Sequence, residues 1–152
     1  MNKEKRYERL YNQIKEQIEP SNDLIANMAS ITAILHHKME YFFWTGFYRL
    51  LEGELIVGPY QGPVACIQLE KDKGVCWTGI NKGESIIVPD IHNFPGHIAC
   101  DSRSNSEIVV PVRNKKGVIV AVLDVDSKEL NSFNEEDASG LERILALLAK
   151  HD

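Results

Sequence analysis

The cysteines of this 152-residue chain are Cys66, Cys76 and Cys100, and all three lie in one stretch rich in Gly, Pro and His. That composition is typical of loops, so we expect the three thiols to be accessible to solvent. A thiol reacts as its thiolate, which forms most readily in accessible positions near favourable charges. The clustering therefore favours thiol redox chemistry over packing of the cysteines in a core.

The segment PDIHNFPGHIACD at residues 89–101 has the most unusual composition in the chain. Its Pro-Gly pair predicts a turn, and His92, His97 and Cys100 follow one another at short spacing. An imidazolium close to a thiol stabilises the thiolate and raises its fraction at neutral pH. The alternative is that both histidines are ordinary surface residues.

Three chemistries fit these residues. Zinc could be bound by Cys66, Cys76, Cys100 and a histidine, but the cysteines lack the paired C-x-x-C spacing of typical zinc sites. A Cys-His hydrolase requires a positioned base and an oxyanion hole, for which one Cys and one His in a loop are weak evidence. Thiol redox catalysis explains the presence of several cysteines, because one attacks the substrate and another resolves the oxidised product as a disulfide.

Two carboxylates end a strongly apolar segment near the C-terminal part of the sequence. Residues 118–126 predict a strand that is apolar on both faces, and the pattern breaks at Asp124 and Asp126, which share a face with three valines. Either the strand reaches solvent at this point, or the two acids line a pocket at the end of a sheet. In a pocket they would suit an ammonium group, or donate a proton if one of them has a raised pKa.

An aromatic stretch offers a second wall for such a pocket. Phe42, Trp44, Gly46 and Tyr48 alternate on one face of a predicted strand, and Gly46 is expected to leave open space between the Trp and Tyr rings. Core packing is one explanation for these aromatic residues. A ligand site that holds an apolar or cationic group between aromatic walls is the other.

Two N-terminal helices are the first elements predicted to support these residues. Residues 3–19 carry apolar side chains at helical spacing, and a second helix, capped by Ser21 or Asn22, has an apolar face over residues 24–35. We expect both helices to pack on a sheet or on a second subunit.

Strand patterns and a final helix follow. The predicted strands cover residues 41–50, 54–57, 65–70, 85–88, 107–113 and 118–125. A capping box of Ser132 and Glu135 predicts the start of the final helix. We therefore predict an α+β fold in which the helices lie on one face of an antiparallel sheet.

Composition and charge exclude several classes of protein. The chain is 43% hydrophobic and 26% charged, which is ordinary for a globular protein of one domain over residues 1–152. No apolar run approaches the roughly 20 residues of a membrane span. The charged N-terminal segment lacks the features of a secretory signal, so we expect a cytoplasmic location in which the cysteines rest as thiols and any disulfide is transient. A net charge of -5 with dispersed basic residues argues against a nucleic-acid partner.

Six blocks of sequence, in one order and with the three cysteines in step, carry a family resemblance. They are FFWTGFY at residues 42–48, GPYQGPVACIQ at 58–68, KGVCW at 73–77, VPDIHNFPGHIACD at 88–101, SEIVVPV at 106–112 and LDVDS at 123–127. By these blocks, which span most of the chain, the sequence resembles the free methionine-(R)-sulfoxide reductases, a family of GAF-domain proteins.

The resemblance implies a GAF fold, with a central antiparallel sheet of about six strands flanked by N-terminal and C-terminal helices. It also implies reduction of free L-methionine-(R)-sulfoxide to methionine, with thioredoxin as the electron donor and a homodimer as the common assembly. No cofactor or metal is implied. The rival hypothesis is a GAF module that senses a small molecule without catalysis, for which the cysteines would be incidental.

The resemblance also implies roles for individual residues. Cys100 matches the nucleophile, Cys66 matches the resolving cysteine, and Cys76 matches a position that assists or substitutes for one of them. The implied substrate-binding residues are the aromatic Trp44 and Tyr48 and the acidic Glu107, Asp124 and Asp126. The chain departs from the family after KGVC, where Trp77 replaces a small residue, so we expect the Cys76 loop to sit differently.

The implied reaction accounts for the mixture of thiols and acids. When a thiolate attacks the sulfoxide sulfur, the departing oxygen must be protonated, and Glu107 or Asp124 could supply that proton. Cys100 is then left as a sulfenic acid, which the second cysteine converts to a disulfide with release of water. A free amino acid also carries an α-ammonium group that the carboxylates can pair with.

Overall fold

Helices and strands account for most of residues 2–97 and 100–152, which the computed structural model describes. The helices are α1 (Lys3–Ile18), α2 (Leu24–Lys38), α3 (Gly74–Lys82) and α4 (Glu135–Leu145). The strands are β1 (Trp44–Leu51), β2 (Glu54–Gln61), β3 (Gln68–Leu69), β4 (Ile86–Val88), β5 (Ser106–Arg113) and β6 (Ile119–Ser127). Short 3-10 helices lie at Ile91–Asn93 and Ala146–Lys150.

All six strands form one antiparallel sheet in the order β3-β2-β1-β6-β5-β4. β6 is central, and its side chains are buried on both faces as the sequence predicted. Ala121, Leu123 and Val125 enter the core beneath the helices, whereas Val122 faces the opposite side. The sheet therefore has two packed faces, and the pattern of β6 indicated both.

The larger core lies between one face of the sheet and α1, α2 and α4. The predicted apolar stripes are confirmed: Tyr7, Leu10, Ile14 and Ile18 of α1 are buried, together with the matching residues of α2 and α4. Burial of these stripes removes apolar surface from water, which is the main source of stability for helices packed on a sheet.

Helix α3 covers the other face of the sheet, so the prediction of helices on one face only is incomplete. Its Val75, Cys76 and Trp77 pack with residues of β1 and β6. The expectation of an accessible loop around Cys76 is wrong, because this cysteine is buried on a helix. Helix α3 has only nine residues and no side-chain cap, and its clearest sequence signal is Gly83, which ends it with φ of 67°.

The predicted helix caps are each displaced by one or two residues. Asp23, rather than Ser21 or Asn22, caps α2 by accepting a hydrogen bond from the Ala26 N–H. Asn134 caps α4 in a capping box with Asp137 as the partner.

Ser132 and Glu135 do not form the predicted box. The Ser132 hydroxyl is held 2.7 Å from the Ser127 hydroxyl, which leaves Asn134 as the residue with a free side-chain acceptor at the helix start.

Three strand boundaries also differ from the predictions. β1 begins at Trp44 rather than at residue 41, because Phe42 closes a turn after α2 and packs in the larger core. Phe42 therefore does not share a face with Trp44. β2 runs on to Gln61, and the strand predicted over residues 65–70 is reduced to β3.

Across the described ranges, no helix combines the length and the apolar character needed to cross a bilayer.

Candidate active site

The register of three strands places acidic side chains in adjacent rows on the face covered by α3. Trp44 of β1 lies opposite Asp126 of β6, which in turn lies opposite Glu107 of β5. In the next row, Gly46 and Val109 flank Asp124. Directly opposed residues of antiparallel strands point to the same face, so Glu107, Asp124 and Asp126 meet on one side of the sheet.

Two of these three acids are buried, and Asp126 is half-buried. Glu107 is 5% exposed and Asp124 is 6% exposed, so the interpretation in which the strand simply reaches solvent is wrong for Asp124. Burial raises the pKa of Glu107 well above its usual value, and the charges of Asp124 and Asp126 raise it further. Burial also raises the pKa of Asp126, and it raises the pKa of Asp124 to about 6.

Cys76 of α3 completes this acidic cluster. Its Sγ and one carboxyl oxygen each from Glu107 and Asp124 all lie within 4.8 Å of one another. Burial raises the pKa of the Cys76 thiol, and the neighbouring carboxylates add to the shift, so the thiol is held protonated. Among the described residues, this is the group whose donor atoms are close enough to hold a metal ion.

An aromatic wall stands beside the acids. The Trp44 ring stacks on Tyr48 at 5.8 Å and on Tyr60 at 5.3 Å between centroids. Gly46 does not leave open space between Trp44 and Tyr48 as predicted. A Cβ at Gly46 would lie 2.7 Å from Cη2 of Trp44 and 2.3 Å from the Tyr60 Cβ. The missing side chain therefore lets the Trp44 ring lie flat across β1.

The aromatic wall also holds the segment that carries Cys66. Nε1 of Trp44 donates a hydrogen bond to the Pro63 carbonyl at 3.0 Å, and the Tyr48 hydroxyl donates to the Cys66 carbonyl at 3.0 Å. The two explanations offered for the aromatic residues, core packing and a ligand site, therefore both hold. Trp44 and Tyr48 are buried, and both also border the pocket.

Cys66 and Cys100 form a disulfide at the wall of the pocket, which Cys100 lines, with their Cα atoms 5.6 Å apart. This is the pair that the family resemblance implied. Cys100 is exposed and Cys66 is half-buried, whereas Cys76 remains a free thiol. Two of the three cysteines are therefore bonded to each other, and the third lies beside Glu107 and Asp124.

The two histidines of the 89–101 segment have different positions. His97 lines the pocket and is half-buried, and burial lowers its pKa, with a further lowering from the charge of His92. His92 is exposed and its Nε2 lies 3.0 Å from the Asn105 side-chain oxygen. Ile98 and Ala99 of this segment lie outside the described residues.

A cavity of about 60 Å³ gathers nearly all of the predicted site residues. Its walls include Trp44, Tyr48, Cys76, Cys100, Glu107, Asp124 and Asp126. Cys66 joins them through its bond to Cys100.

Two residues of the site carried no usable signal in the sequence. Ser104 lines the cavity and is 6% exposed, although it lies in a segment without periodicity. Tyr60 stacks on the Trp44 ring. It was missed because the predicted strand ended at residue 57, whereas β2 continues to Gln61.

Polar atoms face the cavity without a partner. Within residues 2–97 and 100–152, Oδ1 of Asp124 and Nε2 of His97 are buried and accept or donate no hydrogen bond. A buried acceptor of this kind loses its hydration without compensation, which favours a ligand that donates to it. A cationic or N–H-bearing group satisfies Asp124.

Known proteins match both the fold and the sequence. The GAF domain family matches residues 31–150. The GAF domain-containing protein A of Dictyostelium discoideum is 50% identical, with 96% of this chain and 92% of that protein covered. The free methionine-R-sulfoxide reductase of Escherichia coli is 37% identical, with 99% and 90% covered.

A solved structure agrees with these matches. The X-ray structure of free methionine-R-sulfoxide reductase from Neisseria meningitidis in complex with its substrate has a TM-score of 0.94 and 38% identity to this chain. The match covers 99% of this chain and 90% of that one.

Gly46→Ala should destabilise the protein by about 1–3 kcal/mol, because the added methyl group overlaps the Tyr60 Cβ and the Trp44 ring. Gly58→Ala in β2 is the matched control, since a Cβ there meets only the flexible side chain of Arg49 at 3.1 Å or more. Urea unfolding of both variants measures the difference. Equal losses of stability would show that the Trp44 ring does not depend on Gly46.

Asp124→Asn should stabilise the folded protein at pH 8 and have little effect near pH 4. The pKa of buried Asp124 is raised from 3.8 to about 6. Its contribution to the free energy of unfolding is therefore fully present below pH 4 and is lost as the pH rises through about 6. Removing the charge in Asp124→Asn should raise the free energy of unfolding at pH 8 by at most about 3 kcal/mol. Urea unfolding at both pH values, with exposed Glu129→Gln as control, measures this. An effect independent of pH would contradict a buried, titrating Asp124.

Proposed function

Because the chain belongs to the free methionine-R-sulfoxide reductase family of GAF-domain proteins, we propose that its pocket reduces free L-methionine-(R)-sulfoxide to methionine. The chain is an oxidoreductase of that family. The observation that carries the proposal is the Cys66–Cys100 disulfide, which lies against a cluster of buried acids. A redox-active pair and a site for a small cation are thereby brought into one cavity.

The acids select a free amino acid. Asp124 has a buried oxygen without a partner among the described residues, and Glu107 and Asp126 stand beside it. An α-ammonium group supplies the missing hydrogen bonds and neutralises the negative cluster, whereas a peptide nitrogen carries no charge. Trp44 packs against the terminal methyl group of the substrate, as an aromatic ring does with apolar groups.

The thiol chemistry proceeds in two steps. The Cys100 thiolate attacks the sulfoxide sulfur, the oxygen passes to Cys100 with a proton, and methionine leaves while Cys100 becomes a sulfenic acid. The Cys66 thiol then attacks that sulfur, which forms the disulfide and releases water. The Cα atoms of the two cysteines lie 5.6 Å apart in the bonded form, which is an ordinary separation for a disulfide.

Glu107 is the proposed proton donor. Burial and two neighbouring acids raise its pKa well above that of a free carboxyl, which favours the protonated form that a proton donor needs. The pKa of Asp124, about 6, leaves that group mostly ionised and suited to the ammonium. Two acids with separated pKa values thus divide proton donation and substrate binding.

Cys76 has a different role from the one the sequence implied. It is buried on α3 and its thiol pKa is raised, so it makes a poor nucleophile and a poor resolving thiol. We place it as a protonated neighbour of Asp124 and Glu107, with its Sγ within 4.8 Å of a carboxyl oxygen of each. It does not exchange electrons in the proposed cycle.

Thioredoxin is the proposed reductant, and the cytoplasm the proposed compartment. A disulfide formed in each turnover must be reduced by an external dithiol, and reducing compartments supply one. We also propose that the chain forms a homodimer and that residues 1–152 are a single GAF domain. No nucleic acid or membrane enters the reaction.

The function is tested by turnover of free methionine-(R)-sulfoxide with thioredoxin, thioredoxin reductase and NADPH. We expect NADPH oxidation with the R epimer of the free amino acid, and little with the S epimer or with N-acetylmethionine sulfoxide. A GAF sensing module would bind a ligand without turnover. Absence of NADPH oxidation with the free R epimer would overturn the proposal in favour of that module.

Substitution of single cysteines should separate their roles. Cys100→Ser should abolish turnover because the nucleophile is lost, whereas Cys76→Ser should keep most of it, since serine retains a hydrogen-bond donor beside Asp124. Cys66→Ser should form methionine once and then stop at the Cys100 sulfenic acid, because the disulfide that thioredoxin reduces cannot form. Steady-state and single-turnover rates measure these differences. Normal turnover by Cys100→Ser would contradict the assignment of the nucleophile.

Amide substitutions should separate the acids. Glu107→Gln should lower kcat by about 10²-fold or more, because the proton donor is lost. Asp126→Asn should act mainly on KM for the sulfoxide, since it replaces one carboxyl oxygen of the cavity wall by an amide NH₂ that cannot accept a hydrogen bond from the ammonium. Kinetics with both variants at pH 6 to 8 test this, with exposed Glu129→Gln as the control. An unchanged kcat in Glu107→Gln would remove that residue from proton transfer.

A further inference from the structure

The segment on either side of Cys66 exposes two apolar side chains. Val64 is 84% exposed and Ile67 is 73% exposed, the highest values among the large apolar residues that the structure describes. Single exposed apolar residues are common on protein surfaces, but here two of them flank one half of a disulfide.

The fold holds these side chains outward. The carbonyls of Pro63 and Cys66 accept hydrogen bonds from Trp44 and Tyr48, and the Ile67 carbonyl accepts one from a backbone N–H of β2 at 2.8 Å. Three backbone anchors within five residues fix the segment against the sheet. Its apolar side chains therefore stay in water, although a looser loop could turn them inward.

Two ion pairs lie near the disulfide. Lys73 lies 2.9 Å from Glu70, on the Cys66 side, and Arg103 lies 2.7 Å from Asp101, beside Cys100. Neither pair leaves a strong net charge next to the disulfide. On the Cys66 side, a partner that approaches the disulfide meets the exposed apolar side chains of Val64 and Ile67.

We propose that Val64 and Ile67 form the docking surface for the protein dithiol that reduces the Cys66–Cys100 disulfide. This inference rests on the proposed reductase function. The occupant is a small dithiol protein of the thioredoxin type that presents apolar residues around its own accessible thiol. The argument for that occupant is continuity, because the two side chains border the bond that the partner must reach.

The exchange that this surface serves is balanced within the two proteins. A thiolate of the partner attacks one sulfur of the disulfide, so that a mixed disulfide forms and the other cysteine leaves as a thiolate. The second thiol of the partner loses its proton and attacks the mixed disulfide. Cys66 and Cys100 are then both reduced, and the partner holds the new disulfide and has given up two electrons.

The test compares two reductants at saturating sulfoxide. Ile67→Ser should raise KM for purified thioredoxin by about fivefold or more, while turnover supported by dithiothreitol stays within about twofold of wild type. Dithiothreitol is too small to use the apolar contact. Val64 also borders the cavity, so Val64→Ser can change turnover with either reductant. The ratio of its thioredoxin-supported turnover to its dithiothreitol-supported turnover should fall, as for Ile67→Ser.

Val118→Ser is the matched control. Val118 is also exposed, at 55%, but it lies beyond the N-terminal end of β6, whereas the acids lie toward the C-terminal end. Unchanged thioredoxin kinetics in both Ile67→Ser and Val64→Ser, or equal losses with both reductants, would overturn the docking surface alone. Absence of wild-type turnover with dithiothreitol would instead overturn the reductase function on which it rests.

Discussion

Three neighbouring carboxyl groups, two of them buried and one half-buried, with a buried thiol beside them, are the constraint on which the rest of this structure depends. Burial raises the pKa of each of Glu107, Asp124 and Asp126, so ionising all three together is unfavourable and protons are retained on the cluster. Because of this burial, the free energy of unfolding falls as the pH rises through the pKa of Asp124. A bound cation would offset that cost, and a free amino acid brings one.

The sheet and its covering helix supply the geometry that this cluster requires. Adjacent rows of β1, β6 and β5 set the acids on one face, and α3 closes that face with Cys76. The Trp44 ring lies across the small residue Gly46 and reaches the segment that carries Cys66. The acids, the aromatic wall and the disulfide are therefore connected by direct contacts, and the site is one unit.

The sequence predicted those features that depend on local pattern. The apolar stripe of α1 and the double-sided burial of β6 follow from periodicity, and the break at Asp124 pointed to the end of that strand. Glu107 could be placed only through the family resemblance, since the β5 register that sets it opposite Asp126 is a long-range property. Helix α3 was missed because it is short and lacks a side-chain cap, and its burial of Cys76 depends on the sheet beneath it.

The most direct test of the account is a single turnover followed by peptide mapping. Fully reduced protein is mixed with free methionine-(R)-sulfoxide in the absence of any reductant, quenched with acid and alkylated. We predict that methionine forms in equal amount to a Cys66–Cys100 disulfide, while Cys76 is recovered as an alkylated thiol. Methionine formed with the Cys66–Cys100 bond absent, or with Cys76 in the disulfide, would contradict the account.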